Sequence, residues 1–251
     1  MKMVHGRRQL MGSLRAHPAF ASAALITLAF AGLIGLMVFV MQLRPGFMGM
    51  AHGTEPHHRI HDLTYGFLFT TAVVGILAQL RRPAKNVAGM LMALVPWAAL
   101  LLSAALSRDS GVILSTERLL VAAGTVIAAL LHPAERDFFR SFSLPRVNWV
   151  MLTLVGIAAV PLLGFASTNI GLQGTVADEH AGMGHYGFMA AFSFTVIGVG
   201  LLASLRPVGW RLTAWVAGFL PALLGLVSVL FPVSSSLSLP WASGAIAWGL
   251  A

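Results

Sequence analysis

The sequence of 251 residues contains no cysteine. A chain without thiols forms no disulfide, no thiolate metal site and no cysteine nucleophile. Any metal ion that it binds must therefore be held by imidazole, carboxylate, thioether or backbone oxygen ligands. Nine histidines and 12 methionines are the side chains that supply two of these ligand types.

Charged residues are the second scarcity. They make up only 10% of the chain, whereas hydrophobic residues make up 57%, and the mean hydropathy is +0.83. A soluble domain carries about 25% charged residues. Because the apolar runs reach roughly 20 residues, the sequence predicts an all-α integral membrane protein in a lipid bilayer.

Sequence motifs of soluble enzymes and of nucleic-acid-binding proteins are also missing. The chain has no nucleophile elbow, phosphate loop or zinc-protease helix. Its net charge of +8 comes from residues in short loops rather than from a basic stripe on an aqueous domain. Nucleic acid is therefore not an expected partner.

Eight apolar segments predict an eight-helix transmembrane bundle. The final segment is the shortest, since about 15 residues fall short of the roughly 20 that cross a bilayer. The predicted spans are Phe20–Leu43, Leu63–Leu80, Val87–Leu106, Val112–Leu131, Trp149–Phe165, Gly187–Leu205, Leu212–Phe231 and Leu237 to the end.

The loop charges predict an orientation for this bundle. Twelve of the 16 lysines and arginines fall on the side of the N-terminus, three on the other side, and Arg118 within a span. Positive residues favour the cytoplasmic side. We therefore expect cytoplasmic termini in the plasma or inner membrane, with a partner subunit in the membrane left open.

Paired landmarks indicate an internal repeat of four spans. Pro96 and Pro221 lie within the third and seventh spans, and His61 and His185 precede the second and sixth. Two four-span units share one orientation, as parallel repeats do. This predicts a cytoplasmic segment at 1–17, a first repeat at 18–133, a cytoplasmic linker at 134–148 and a second repeat at 149–251.

Histidines are concentrated in two stretches on the predicted outer or periplasmic side, at 52–65 and 174–188. A helix that begins at Pro56 would place histidines three and four residues apart on one face, close enough to share a metal ion. The remaining histidines, His5, His17 and His132, are interpreted as surface residues. The candidate metal ligands are His57, His58, His61, His180 and His185, with His52 and Met183 as further candidates.

Three charged residues are candidate catalytic groups. Asp62 follows His58 by four positions and is placed to orient a ligating imidazole. Glu117 and Arg118 fall inside the fourth span, where a charge costs roughly 2.5–3.5 kcal/mol and is typically functional. Since adjacent helical positions point about 100° apart, these two residues are not expected to pair with each other.

Several cofactors and functions are compatible with these residues. Histidine mixed with thioether sulfur favours copper, whereas imidazole with carboxylate suits zinc or iron. A b-type haem with His61 and His185 as axial ligands is a further alternative. The functions left open are transition-metal handling, a metal-dependent membrane enzyme acting on a lipid or small apolar substrate, and a non-catalytic accessory subunit.

Overall fold

The computed structural model of the protein describes residues 16–43, 55–134, 140, 142 and 146–250. Within these ranges the chain is helical and has no strand, so the prediction of an all-α protein is confirmed. The helices are α1 (Pro18–Leu43), α2 (Pro56–Leu77), α3 (Val87–Ser107), α4 (Thr116–Leu130), α5 (Trp149–Thr175), α6 (Glu179–Gly182), α7 (His185–Leu205), α8 (Arg211–Leu230) and α9 (Leu239–Leu250).

Six of the helices in the described ranges are long and apolar enough to cross a membrane, namely α1, α2, α3, α5, α7 and α8. They contain 20 to 27 residues each, which matches the roughly 20 residues that a bilayer requires. The other two predicted spans are also helical, but α4 has 15 residues and α9 has 12. The chain therefore has the helices of a membrane protein, and the count of eight spans stays a prediction.

The centre of the bundle consists of α2, α3 and α7, which pack against one another. Phe69, Met92 and Phe192 from these three helices are fully buried in one apolar cluster. By contrast, α1 and α5 present most of their apolar side chains outward. A helix that is apolar all round and exposed on the outside of a bundle is suited to contact lipid.

Helix lengths follow the same order in the two halves of the chain. The first four long helices have 26, 22, 21 and 15 residues, and α5, α7, α8 and α9 have 27, 21, 20 and 12. The packing of the last helix differs, because α4 packs mainly on α1 whereas α9 packs on α8. The repeat stays a prediction, and the two halves are not packed alike.

The two ends of the bundle differ in charge. The described carboxylates belong to the end that carries the histidine stretches, and they are Glu55, Asp62, Asp109, Glu117, Asp178 and Glu179. The opposite end carries arginines and a lysine in the connections that follow α2 and α7 and precede α5 and α8. The two histidine stretches and the basic connections therefore lie at different ends of the molecule.

His132 lies at the basic end, and its interpretation as a surface residue is wrong. It is only 2% exposed, its Nε2 lies 3.1 Å from Oε1 of Gln79, and the ring of Phe20 packs against it edge-on. Burial lowers the pKa of His132 to about 4, so this imidazole is neutral at physiological pH. His17 is exposed, and His5 lies outside the described residues.

Candidate metal centre

The start of α2 positions three of the histidines. Pro56 occupies the first turn, where its fixed φ and missing N–H are tolerated, and Glu55 is the N-cap residue. His57, His58 and His61 follow within the next two turns. The side chains of His58 and His61 are buried, and that of His57 is half-buried.

The other two histidines lie on either side of a tight turn between α6 and α7. Asp178 caps α6, and its Oδ1 accepts a hydrogen bond of 2.8 Å from the N–H of Ala181. The chain then reverses at Gly184, whose φ of 79° is in the left-handed region that glycine adopts without strain. This turn brings His180 on α6 and His185 at the start of α7 to 5.7 Å between ring centroids.

Five histidines from these two stretches come together at one end of the bundle. The ring of His180 stacks on that of His58, with 4.5 Å between centroids, and its centroid lies 5.3 Å from that of His57. The rings of His61 and His185 are 5.0 Å apart. The cluster therefore joins elements that are more than 100 residues apart in sequence.

Three of the five histidines lie close enough together that they could hold a metal ion. One ring nitrogen from each of His58, His180 and His185 lies within 4.8 Å of the other two. With metal–nitrogen bonds of about 2.0–2.1 Å, tetrahedral ligand nitrogens are roughly 3.3 Å apart. The three rings would therefore have to move closer together on binding an ion. Three protein ligands would leave a fourth position open.

Buried ring nitrogens near this group have no hydrogen-bond partner among the described residues. They are Nδ1 of His61, Nε2 of His180 and Nδ1 of His185. A buried polar atom without a partner costs about 1–3 kcal/mol, and nearly all such atoms in folded proteins are paired. A bound cation would supply the missing interaction for ring nitrogens that carry a lone pair.

Ser235 holds His61 and was not recognised as a site residue from the sequence. It lies in the connection between α8 and α9, where a run of serines is typical of a turn. Its Oγ lies 2.7 Å from Nε2 of His61, and its side chain is 1% exposed. His61 thus packs beside the three-histidine group, with one nitrogen already engaged.

Asp178 and Tyr186 form a second layer around His180, and neither was expected from the sequence. The hydroxyl of Tyr186 donates a hydrogen bond of 2.8 Å to Oδ2 of Asp178, and the same oxygen lies 3.9 Å from Nδ1 of His180. The only indication of this contact in the sequence is that Asp178 precedes His180 by two positions. A carboxylate behind a ligating imidazole helps to orient the ring.

Asp178 carries its negative charge at neutral pH. Slight burial raises the pKa of its carboxyl, but the hydrogen bonds from Ala181 and Tyr186 and the nearby His180 outweigh that effect and hold the pKa below its usual value. An anion at this position would favour a cation bound by the adjacent imidazoles.

The other predicted site residues lie beside the histidine cluster. Arg118 is buried and donates hydrogen bonds to the carbonyl oxygens of Gly111 (2.8 Å) and Val112 (2.5 Å). Its Nε also lies 3.4 Å from Oε1 of Glu117, so the expectation that these neighbours do not pair is wrong. The two long side chains bend towards each other and overcome the 100° offset between adjacent positions.

Asp62 and Met183 are also placed near the cluster. Asp62 is half-buried one turn after His58 on α2. Met183 lies between His180 and His185, with its side chain 38% exposed. His52 lies outside the described residues. The catalytic and ligand roles predicted for these residues stay predictions.

Comparison of the chain with known protein families, with curated proteins and with solved structures finds no match.

Proposed function

We propose that the protein binds a transition-metal ion through His58, His180 and His185, at the end of a membrane-spanning bundle. One observation carries this proposal: ligand nitrogens from α2, α6 and α7 lie within 4.8 Å of one another. Two further features support it, namely the unpartnered ring nitrogens and the Asp178 carboxylate behind His180.

Copper is the ion that we propose, in a role of metal handling. Imidazole nitrogen suits copper, zinc, iron and nickel, and among divalent first-row ions copper binds most tightly to a given site of this kind. The exposed thioether of Met183 lies between two of the ligands in sequence and offers the sulfur that Cu(I) prefers. Zinc and iron are the competing ions.

The experiment is a measurement of metal content and affinity on the whole chain, purified from cells supplied with copper, zinc and iron. We expect about one ion per chain, with copper displacing zinc and with imidazole nitrogen visible in the paramagnetic resonance spectrum of Cu(II). A chain that neither retains an ion nor binds one saturably would contradict the proposal and favour a non-catalytic accessory role.

A metal-dependent membrane enzyme is the second candidate. The observation that favours it is the set of three protein ligands, since catalytic zinc sites keep a fourth position open for water or substrate. Metal handling requires the ion to leave, whereas catalysis requires it to stay. A dissociation half-life of hours, measured with a chelator in excess, would therefore favour the enzyme.

The haem alternative has less support. One of the two axial ligands that it requires, His61, already has its Nε2 engaged with Oγ of Ser235.

We also propose that the histidine end faces the outside or periplasm and that the basic end faces the cytoplasm. The support is the separation of charge between the two ends, because positive loops favour the cytoplasmic side. The chain has no cysteine, so single cysteines can report the orientation. Ala177 at the histidine end and Ala84 at the basic end are both exposed.

With a membrane-impermeant thiol reagent on intact cells, we expect Ala177→Cys to be labelled and Ala84→Cys to be labelled only after the membrane is opened. The opposite pattern would place the metal site in the cytoplasm and would contradict the proposed orientation without affecting metal binding.

A further inference from the structure

A cavity of about 400 Å³ opens at the basic end of the bundle, opposite the cluster of five histidines. It lies between the segment that leads into α5 and the turn that connects α7 to α8. Arg146, Val147, Arg206, Pro207, Val208 and Trp210 line it. Its wall therefore combines two guanidinium groups with an indole ring and apolar side chains.

Arg206 is the most constrained of these residues. It caps the C-terminus of α7 with a φ of 51°, in the left-handed region that favours glycine. Its guanidinium carbon lies 4.5 Å from the ring centroid of Trp210, in a cation–π contact. Its Nε is buried and has no hydrogen-bond partner among the described residues.

The turn that carries this arginine is firmly attached to α3. The carbonyl oxygen of Val208 accepts a hydrogen bond of 2.9 Å from the N–H of Ala88. Gly209 has a φ of 88°, and a Cβ on it would overlap the side-chain oxygen of Asn86. The side of the cavity that Arg206, Pro207 and Val208 form is therefore fixed by the fold.

The charge around the cavity favours an anion. Arg146 and Arg206 line it, and the described carboxylates all lie at the other end of the bundle. Glu135 and Asp137, in the linker, lie outside the described residues. A phosphate group matches the guanidinium geometry, since it accepts paired hydrogen bonds from arginine.

We propose that this cavity binds an anionic phosphate group, supplied by the headgroup of an anionic lipid. The position supports a lipid as the source, because basic pockets between membrane helices bind such headgroups and tryptophan is enriched at the level of the headgroups. Val147, Pro207 and Val208 provide apolar contacts for the part of the lipid nearest the phosphate. A free phosphate ion offers the same chemistry without these contacts.

The experiment is native mass spectrometry of the whole chain, titrated separately with phosphatidylglycerol, phosphatidylcholine and inorganic phosphate. We expect saturable binding of phosphatidylglycerol, and a loss of affinity of roughly fivefold in each of Arg206→Gln and Arg146→Gln. Arg211→Gln is the matched control, because Arg211 is exposed at the same end and does not line the cavity.

Each outcome bears on the proposal. Equal losses in the three variants would overturn it, because they would indicate general attraction to a basic surface, and so would equal binding of the two lipids. Another outcome is that inorganic phosphate competes with the lipid and loses its binding in Arg206→Gln and Arg146→Gln. That result would support an anion site in the cavity but would make free phosphate, not a lipid headgroup, the ligand. Because Arg146 is on the surface, its variant tests the site even if Arg206→Gln fails to fold.

Discussion

Replacing His185 with alanine is expected to abolish the metal binding that we propose. The change deletes one of the three proposed ligands, and even the loss of a residue behind a ligand lowers metal affinity 10- to 100-fold. We therefore expect the affinity to fall by at least about 100-fold. Elemental analysis and titration with a competing chelator would measure the loss.

The controls separate ligation from packing. His185 is 6% exposed and its ring packs on that of Phe188, so His185→Phe keeps a ring in place while removing both nitrogens. It should also lose the ion, whereas His17→Ala, exposed at the other end, should keep it. Full metal content in His185→Phe would disprove the assigned ligand set.

His61 provides a sharper comparison within the cluster. The ring of His61 is closer to that of His185 than the rings of His58 and His180 are. However, Nε2 of His61 is engaged with Ser235, and His61 lies outside the three-histidine group. His61→Phe is therefore expected to weaken binding less than His185→Phe does. The reverse order would place the ion between His61 and its neighbours.

The boundaries of a helix could be predicted from the sequence where they coincide with the boundaries of an apolar run. Val87 begins α3 and Leu205 ends α7, as predicted. By contrast, α5 continues ten residues beyond Phe165 to Thr175, because Asn169 and Gln173 are buried within it. Gln173 bonds Asp109, Ala181 and Gly187 from other elements. The partners of Gln173 lie on other elements, so an apolar run in the sequence gives no sign that this residue belongs to the helix.

The histidine cluster was predictable because both stretches flank helices that must emerge on one side of the bundle. The residues that surround the cluster could not be predicted in the same way. Ser235 meets His61 across 174 residues of sequence, and nothing in a run of serines indicates which one points inward. Asp178 is local to His180, but its role depends on the turn at Gly184 that places Tyr186 beside it.

Arg118→Ala is expected to destabilise the fold, not merely to alter chemistry at the metal site. The buried guanidinium donates to the carbonyl oxygens of Gly111 and Val112 and lies 5.0 Å from the centroid of the Phe188 ring. Its removal leaves the buried carbonyl group of Val112 without this donor, at a cost of about 1–3 kcal/mol, whereas Gly111 is exposed and its carbonyl oxygen can bind water. Thermal unfolding in detergent would measure this loss.

The matched change Glu117→Gln distinguishes this structural role from a catalytic one. Glu117 is 43% exposed and pairs with the same arginine, and exposed pairs contribute about 0–1 kcal/mol, so its variant should unfold almost as the unaltered protein does. The Phe188 ring also packs on His185. Loss of the Arg118 side chain is therefore expected to loosen the start of α7 and to weaken metal binding as well. Unchanged stability in Arg118→Ala, with metal content intact and activity lost, would instead make Arg118 a functional group.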